Sequence, residues 1–260
     1  MIAVITGASS GIGAATARAL RRERADARIV LVARREDKLR ALADELGATY
    51  VAADLLEEDA PAKVRAQLDG ELHLLVNNAG TSWRATFGDG GFANVDRHMQ
   101  INFNASVRLT EALLPLLRAS TPSAIVNVAS VAGRVARAGA GSYSASKFAL
   151  IGWSDALYLE ERPNGVHVGL VLPGFIKTEG FPATELTSKR ATRWLVSTED
   201  KAAAAILDAG LGGKAEVYVP RPWRLVPVLR TLTPGLLRRA GGGAVAKATL
   251  TKTGADTPRA

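Results

Sequence analysis

The sequence predicts an α/β protein, a parallel sheet of about seven strands covered by helices on both faces. Two observations carry this. Short runs that are apolar at all but one position, such as Arg28–Ala33 (RIVLVA) and Ala124–Ala129 (AIVNVA), alternate with longer polar segments of helical length. A strand covered on both faces shows no polar side, so it reads as a continuous apolar run rather than an alternating one. The first such run also passes into a glycine-rich turn that opens a helix. No internal repeat and no second domain is evident.

The elements follow in order. Met1–Thr6 reads as a buried strand, and the turn after it leads into a helix through the arginine-rich 18–24 region. Arg28–Ala33 is a second strand with a charged helix behind it to about Leu46. Thr49–Ala53 is a third, ending in Asp54, and a polar helix covers about 57–68. Leu72–Asn77 is a fourth, followed by a single long helix over about 92–118. Ala124–Ala129 is a fifth, before a helix over about 142–161. Val166–Leu172 is a sixth, closed by Pro173-Gly174. An irregular insertion is expected over 175–197, then a helix over about 198–211 and a last strand at 217–219.

Hydrophobic residues make up 47 % of the 260 and charged residues 22 %, as in an ordinary soluble protein with a sizeable core. There is no cysteine, so disulfide and thiol chemistry are excluded and a reducing cytoplasm is the simplest setting. His73, His98 and His167 lack ligand spacing, which argues against a metal. The net charge is +8, but residues from Arg221 on hold eight Lys/Arg and one acid, leaving +1 on residues 1–220. The body therefore gives no reason to expect nucleic-acid binding. The N-terminal run is too short for a signal-peptide core, and no apolar stretch approaches the roughly 20 residues of a membrane span.

Two stretches carry chemistry. In Gly7-x-x-x-Gly11-x-Gly13, glycines allow backbone to approach a pyrophosphate, and the helix behind offers free N–H groups and a positive dipole end. Tyr143 and Lys147 stand one helical turn apart on one face, where an ammonium stabilises a phenolate and lowers the phenol towards a working proton donor. Ser130 lies upstream at the end of an apolar run, placed to hold a substrate oxygen while Tyr143 moves the proton.

Thr6-Gly7-x-x-x-Gly11-Ile12-Gly13, Asn77-Asn78-Ala79-Gly80, Ser130, Tyr143-x-x-x-Lys147 and Pro173-Gly174 occur in one order and spacing. Over residues 1–220 the chain resembles the single-domain short-chain dehydrogenase/reductase family. The resemblance implies a Rossmann-type doubly wound sheet of strand order 3-2-1-4-5-6-7 and a nicotinamide cofactor across the carboxyl ends of its strands. It also implies a homodimer or homotetramer, a small carbonyl or alcohol substrate, and a substrate lid over 175–197.

The end of the second strand bears on the choice of cofactor. An acid there would bond the ribose hydroxyls of NAD(H) and repel the extra phosphate of NADP(H). Ala33 holds that place, followed by Arg34 and Arg35, two guanidiniums suited to phosphate, with Ser9 or Ser10 able to add a hydroxyl. NADP(H) is therefore expected in preference to NAD(H). By resemblance, Asp54 bonds the adenine amino group, Asn78 lines the cofactor, Pro173, Gly174 and Ile176 meet the nicotinamide amide, and Thr178 ends that segment. Lys147 also bonds the nicotinamide ribose, and Asn102 helps hold a water in a proton relay to it.

Phe175, Phe181 and Trp194, with Trp83 after the fourth strand, point either to an apolar substrate pocket or to packing within the lid itself. The tail is the departure from the family's minimal pattern. Residues 221–239 mix large apolar residues with arginines, while Pro222, Pro227 and Pro234 preclude one long helix. Two expectations stand for it: packing on the body or a neighbouring subunit, or resting on an anionic membrane surface near a lipid substrate. A flexible basic end is expected from Gly241 on. Together the motifs and the resemblance imply an NADP(H)-dependent oxidoreductase that interconverts a carbonyl and a secondary alcohol on an apolar substrate, with the same chemistry on NAD(H) and a non-catalytic NADPH-binding regulator as alternatives.

Overall fold

In the computed structural model, residues 1–177 and 193–235 are described. The elements are β1 (Ile2–Thr6), α1 (Gly11–Glu23), β2 (Arg28–Ala33), α2 (Glu36–Leu46), β3 (Thr49–Ala52), α3 (Ala60–Arg65), β4 (Leu74–Asn77) and α4 (Phe87–Met99). A π-turn (Gln100–Asn104) joins α4 to α5 (Ala105–Ala119), followed by β5 (Ser123–Val128), α6 (Gly141–Glu161), β6 (Val166–Pro173) and β7 (Phe175–Lys177). β8 (Val196–Thr198), α7 (Glu199–Gly210), β9 (Glu216–Val219) and α8 (Leu225–Leu232) complete the described chain.

Seven strands pair in parallel in the order β3-β2-β1-β4-β5-β6-β9, the Rossmann-type order expected. Every strand therefore ends on the same edge. Thr6, Ala33, Asn77, Val128 and Pro173 bring their loops together there.

The sheet is apolar on both faces because both are covered. In β1, Ala3 and Ile5 join one core layer with Leu20, Leu31, Val76 and Ile206, whose helices are α1 and α7. Val4 points the other way, into a layer with Leu75, Leu109, Leu113, Ile125 and Leu157, supplied by α5 and α6. Each fully buried Leu or Ile contributes about 2 kcal/mol of transfer free energy, and both layers depend on the period-two alternation of the strands.

Five features differ from the sequence expectation. The helix expected over 92–118 is two helices joined by the π-turn, with Asn102 fully buried at the joint. The extra residue in that turn brings the Asn102 carboxamide to the backbone of Thr81 and the hydroxyl of Ser146. The helical segment also starts earlier, at Phe87, and Gly91 kinks it at φ 51°, which is why the helical pattern is regular only from Phe92. The polar helix expected over 57–68 is helical only at Ala60–Arg65, and β4 starts at Leu74 rather than Leu72. The ends of the stretch expected to be irregular are ordered: β7 and β8 pair in parallel, Phe175 opposite Val196 and Lys177 opposite Thr198. Thr178 and Phe181 lie outside the described residues.

After β9, a 3₁₀ turn (Arg221–Arg224) leads into α8, with Pro222 and Pro227 at the starts of these elements, where a missing N–H costs least. The Trp223 indole packs over Gly174 and donates to the Leu195 carbonyl at 3.2 Å. Arg230 donates to the Arg134 carbonyl at 2.9 Å and lies over the Phe148 ring. Residues 221–235 thus pack on the body, while Leu225, Val228, Leu229 and Leu232 of α8 remain exposed. Among the described residues no helix is long and apolar enough to cross a membrane.

Candidate active site

The glycine turn sits between β1 and α1. Gly7 and Gly11 hold φ of 66° and 59°, in the left-handed region that side chains disfavour. A Cβ on Gly13 would collide with the Gly7 carbonyl oxygen, so the third glycine lets the helix close against the strand. Ile12 is half-buried and packs against the core. The turn is pinned from β4: the Thr6 hydroxyl donates to Val76 O and accepts from the N–H groups of Asn78 and Ala79 at 2.9 and 3.0 Å. Asn78 Nδ2 donates to Thr6 O at 2.9 Å. The Asn78 amide nitrogen is therefore spent on shaping the turn.

At the end of β2, Arg35 donates to Ser9 Oγ at 3.1 and 3.2 Å and to Ser10 Oγ at 2.5 Å. A guanidinium and two hydroxyls converge there. Arg34 is more exposed and faces Asp54 at 3.8 Å, whose other oxygen accepts from Leu56 N at 3.0 Å.

The Ser130, Tyr143, Lys147 and Asn102 side chains meet beyond the edge formed by β4, β5 and β6. Ser130 is buried after β5, accepts from Ala132 N at 3.1 Å, donates to Pro173 O at 3.3 Å, and stands near enough to the Tyr143 phenol to lower its pKa. Gly174 follows under Trp223, with its N–H on Val219 O at 2.8 Å, and Ile176 is buried in the core layer beneath. Lys147, on the same face of α6 as Tyr143, donates to Val128 O at 2.9 Å, with its Nζ 6.0 Å from the phenol ring centroid. Gly80 completes this wall; a Cβ there would stand 2.8 Å from Asn102 Oδ1 and 3.5 Å from Lys147 Nζ.

The Asn102 carboxamide accepts from Thr81 N at 2.8 Å and donates to Thr81 O and Ser146 Oγ, each at 3.0 Å. Both its N–H bonds are committed to protein, so its side chain fixes the segment after β4 against α6. A buried chain supports α6 further along: Asn77 donates to Thr110 and Asn127, and Asn127 to Ser154.

Electrostatics differ from the simple expectation for the Tyr–Lys pair. Burial pushes the Tyr143 phenol up, against the lowering effects of the Ser130 hydrogen bond and then the Arg137 charge. Burial also lowers Lys147 to about 8. In this geometry Ser130 and Arg137, rather than Lys147, draw the phenol down.

Two residues singled out by no motif stand beside the phenol. His98, fully buried on α4, has Nδ1 on Asn94 O at 2.6 Å and accepts at Nε2 from Trp83 N at 3.0 Å. Those partners fix the neutral Nδ1–H tautomer, and the ring sits edge-on to Tyr143 at 6.2 Å. Burial lowers its pKa, and neighbouring Arg97 adds to that. Arg137 lies in the loop between Ser130 and Tyr143, with its guanidinium 5.5 Å from the Phe175 ring centroid. Trp83 meets the His98 ring at 5.1 Å, so Trp83 and Phe175 both flank the phenol's surroundings.

A family model described as short chain dehydrogenase matches residues 1–189. The chain belongs to that family. The short-chain dehydrogenase is 31 % identical to the ketoacyl reductase HetN of Nostoc sp., over 90 % of this chain and 82 % of the relative. It is also 31 % identical to the dehydrogenase/reductase SDR family member 7B of Bos taurus, over 92 % of this chain and 79 % of the relative. Among solved structures, it superposes on a short-chain dehydrogenase of Burkholderia cenocepacia in complex with NADP with a TM-score of 0.79. That match has 26 % identity and covers 93 % of this chain and 97 % of the other. The RhlG/NADP active-site complex of Pseudomonas aeruginosa matches with a TM-score of 0.72 and 29 % identity, over 84 % and 93 % of the two chains. The protein is thus an oxidoreductase of the dehydrogenase/reductase type with a Rossmann fold.

Proposed function

We propose that this short-chain dehydrogenase interconverts a carbonyl and a secondary alcohol at Tyr143, with NADP(H) as its cofactor. The observation that carries the reading is the Tyr143 phenol on the same face of α6 as the buried Lys147, whose Nζ is 6.0 Å from the ring centroid, with the buried Ser130 hydroxyl beside it.

The residues present fit the cofactor. The positive-φ glycines and the free N-terminus of α1 suit a pyrophosphate, and Arg35 with Ser9 and Ser10 suits a phosphate where an acid is missing. That cluster favours NADP(H) over NAD(H), and the two solved relatives above are themselves NADP complexes. Gly7, Ser9, Ser10, Gly11, Ile12 and Gly13 would hold the phosphates, Asp54 the adenine end, and Pro173, Gly174 and Ile176 the nicotinamide amide. Bound there, the cofactor supplies or accepts the hydride at the substrate carbon.

In the reductive direction the Ser130 hydroxyl exchanges its long bond to Pro173 O for one to the substrate oxygen. Tyr143 then gives its proton to that oxygen as the carbonyl becomes an alkoxide. The phenolate left behind faces the Lys147 ammonium, two of whose three N–H bonds remain for the phenolate side and the ribose. Asn102 and the π-turn hold Thr81 and α6 in register. The Trp83 and Phe175 rings favour an apolar substrate body.

The test is NADPH and NADH oxidation against a panel of apolar ketones, run beside Tyr143→Phe. NADPH-dependent turnover that disappears in the variant is the expected result. Faster turnover with NADH would overturn the cofactor reading, and tight NADPH binding with no turnover of any ketone would favour the regulator.

A further inference from the structure

Two arginines of this loop, Arg134 and Arg137, each keep a buried nitrogen without a hydrogen-bond partner among the described residues, and they differ in their charge pairing. Arg134 is paired with Glu216 at 2.6 Å. The Arg137 Nη1 is buried and has no hydrogen-bond partner among the described residues; the contact given for its guanidinium is the face of Phe175. A guanidinium nitrogen buried with its N–H uncommitted is costly unless something completes it. A second cation, Arg84, in the segment after β4, is near enough to repel it, and no acid figures among the charges acting on it. The Tyr143 phenol does. The loop is held in place by the turn bond from Ala140 N to Arg137 O at 3.2 Å, directly before α6 begins.

The geometry points to Arg137 as the anion-binding residue of the substrate site, holding a carboxylate or phosphate of the substrate while the substrate's carbonyl or hydroxyl faces Tyr143. This rests on the carbonyl–alcohol reading above and narrows it to an oxo or hydroxy acid, or its phosphate counterpart, with an apolar body between its two polar ends. A planar guanidinium grips either oxyanion through paired N–H bonds, and such charge-assisted bonds are lost when the group is esterified. The Phe175 ring backs the guanidinium from one side, with the guanidinium carbon 5.5 Å from its centroid.

The test uses three probes with one ketone and different ends: 4-acetylbenzoate, its methyl ester, and 4-acetylphenyl phosphate. Binding is measured calorimetrically with and without NADP⁺, and turnover with NADPH, for the full chain, Arg137→Gln and Arg137→Lys. The expected result is that at least one anion binds about 10- to 100-fold tighter than the ester. Arg137→Gln removes that preference without changing ester binding, and Arg137→Lys keeps part of it. A carboxylate preference and a phosphate preference separate the two oxyanion sources. Equal binding of anions and ester by the parent, no measurable anion binding, or a preference that survives in Arg137→Gln would each overturn the assignment. Should Arg137→Gln fail to fold, the parent's anion-to-ester ratio and Arg137→Lys decide. An Arg137-dependent preference in binding, with no ketone reduced, would keep this assignment and count against the redox reading instead.

Discussion

Lys147 reaches from α6 to the main-chain carbonyl of Val128 at the end of β5, 2.9 Å away, and is almost wholly buried. Burial alone lowers its ammonium from 10.5 to about 8. The folded chain thus holds this proton less tightly than the unfolded one. The penalty is full below about pH 8 and is relieved as pH rises from there towards 10.5. At pH 7 it amounts to roughly 3 kcal/mol. Lys147→Met removes it, so the stability of the variant relative to the parent should fall by about 2 to 3 kcal/mol between pH 7 and pH 10. Urea titrations at the two pH values read this directly; parallel stability curves would refute it.

Ser130→Ala should leave the fold intact and cut ketone reduction by about 10²- to 10⁴-fold, the usual range for a group assisting proton transfer. The hydroxyl accepts one N–H, from Ala132, so its removal leaves a small and local deficit. NADPH affinity should hold, because no part of the glycine turn touches Ser130. A variant that lost nucleotide binding along with turnover would argue that Ser130 is structural.

Arg35 and Arg34 should separate in their effects. Arg35→Ala removes the guanidinium that gathers Ser9 and Ser10, and should raise KM for NADPH about 10- to 100-fold while hardly changing NADH kinetics. Arg34→Ala should do less, since its side chain is largely exposed and its acid partner lies 3.8 Å away. Equal losses with both nucleotides would remove the 2′-phosphate role.

How far the chain could be read without coordinates follows from the range of the interactions involved. The sheet was legible because covering both faces leaves a local trace, as in Arg28–Ala33, and the glycine turn because only glycine meets its backbone demands at 7, 11 and 13. Ser130, Tyr143 and Lys147 were legible because their chemistry fixes residue type and spacing. The break between α4 and α5 was not. It depends on Asn102 meeting Thr81 and Ser146, and Ser146 is 44 residues away in the chain. His98 was invisible for the same reason: its partners, Asn94 O and Trp83 N, are backbone atoms with no side-chain signature. Arg137 did leave a signal, a cation between Ser130 and Tyr143 beside another after Gly80, but only the folded chain shows that no acid among the described residues is paired with it.

Gly13→Ala tests how closely α1 must approach the strand. The added Cβ would strike the Gly7 carbonyl and stand 2.7 Å from Asn78 Nδ2. Backbone is on one side of the clash, so the turn must open rather than a side chain rotate. The expected outcome is a destabilisation of about 1–3 kcal/mol together with weaker NADPH binding. Unchanged melting and unchanged affinity would show that the turn yields easily.

His98 gives the last prediction. Its Nε2 accepts from Trp83 N and its Nδ1–H is held by Asn94 O, so a second proton would set N–H against N–H in a buried site. Burial lowers its pKa below the ordinary 6.5, so below about pH 6.5 the unfolded chain takes up a proton that the folded chain refuses. Stability from this group is complete above 6.5 and is lost as pH falls below it. His98→Gln keeps an acceptor and a donor but does not titrate, so it should flatten the loss of stability between about pH 6.5 and 5 relative to the parent. His73 and His167 are present in both proteins, so the difference isolates His98. Because the imidazole edge meets the Tyr143 ring, the parent's kcat should also fall on the same acid limb, and that fall should be reduced in His98→Gln. An acid limb in the variant as steep as the parent's, in both stability and kcat, would place the titrating group elsewhere.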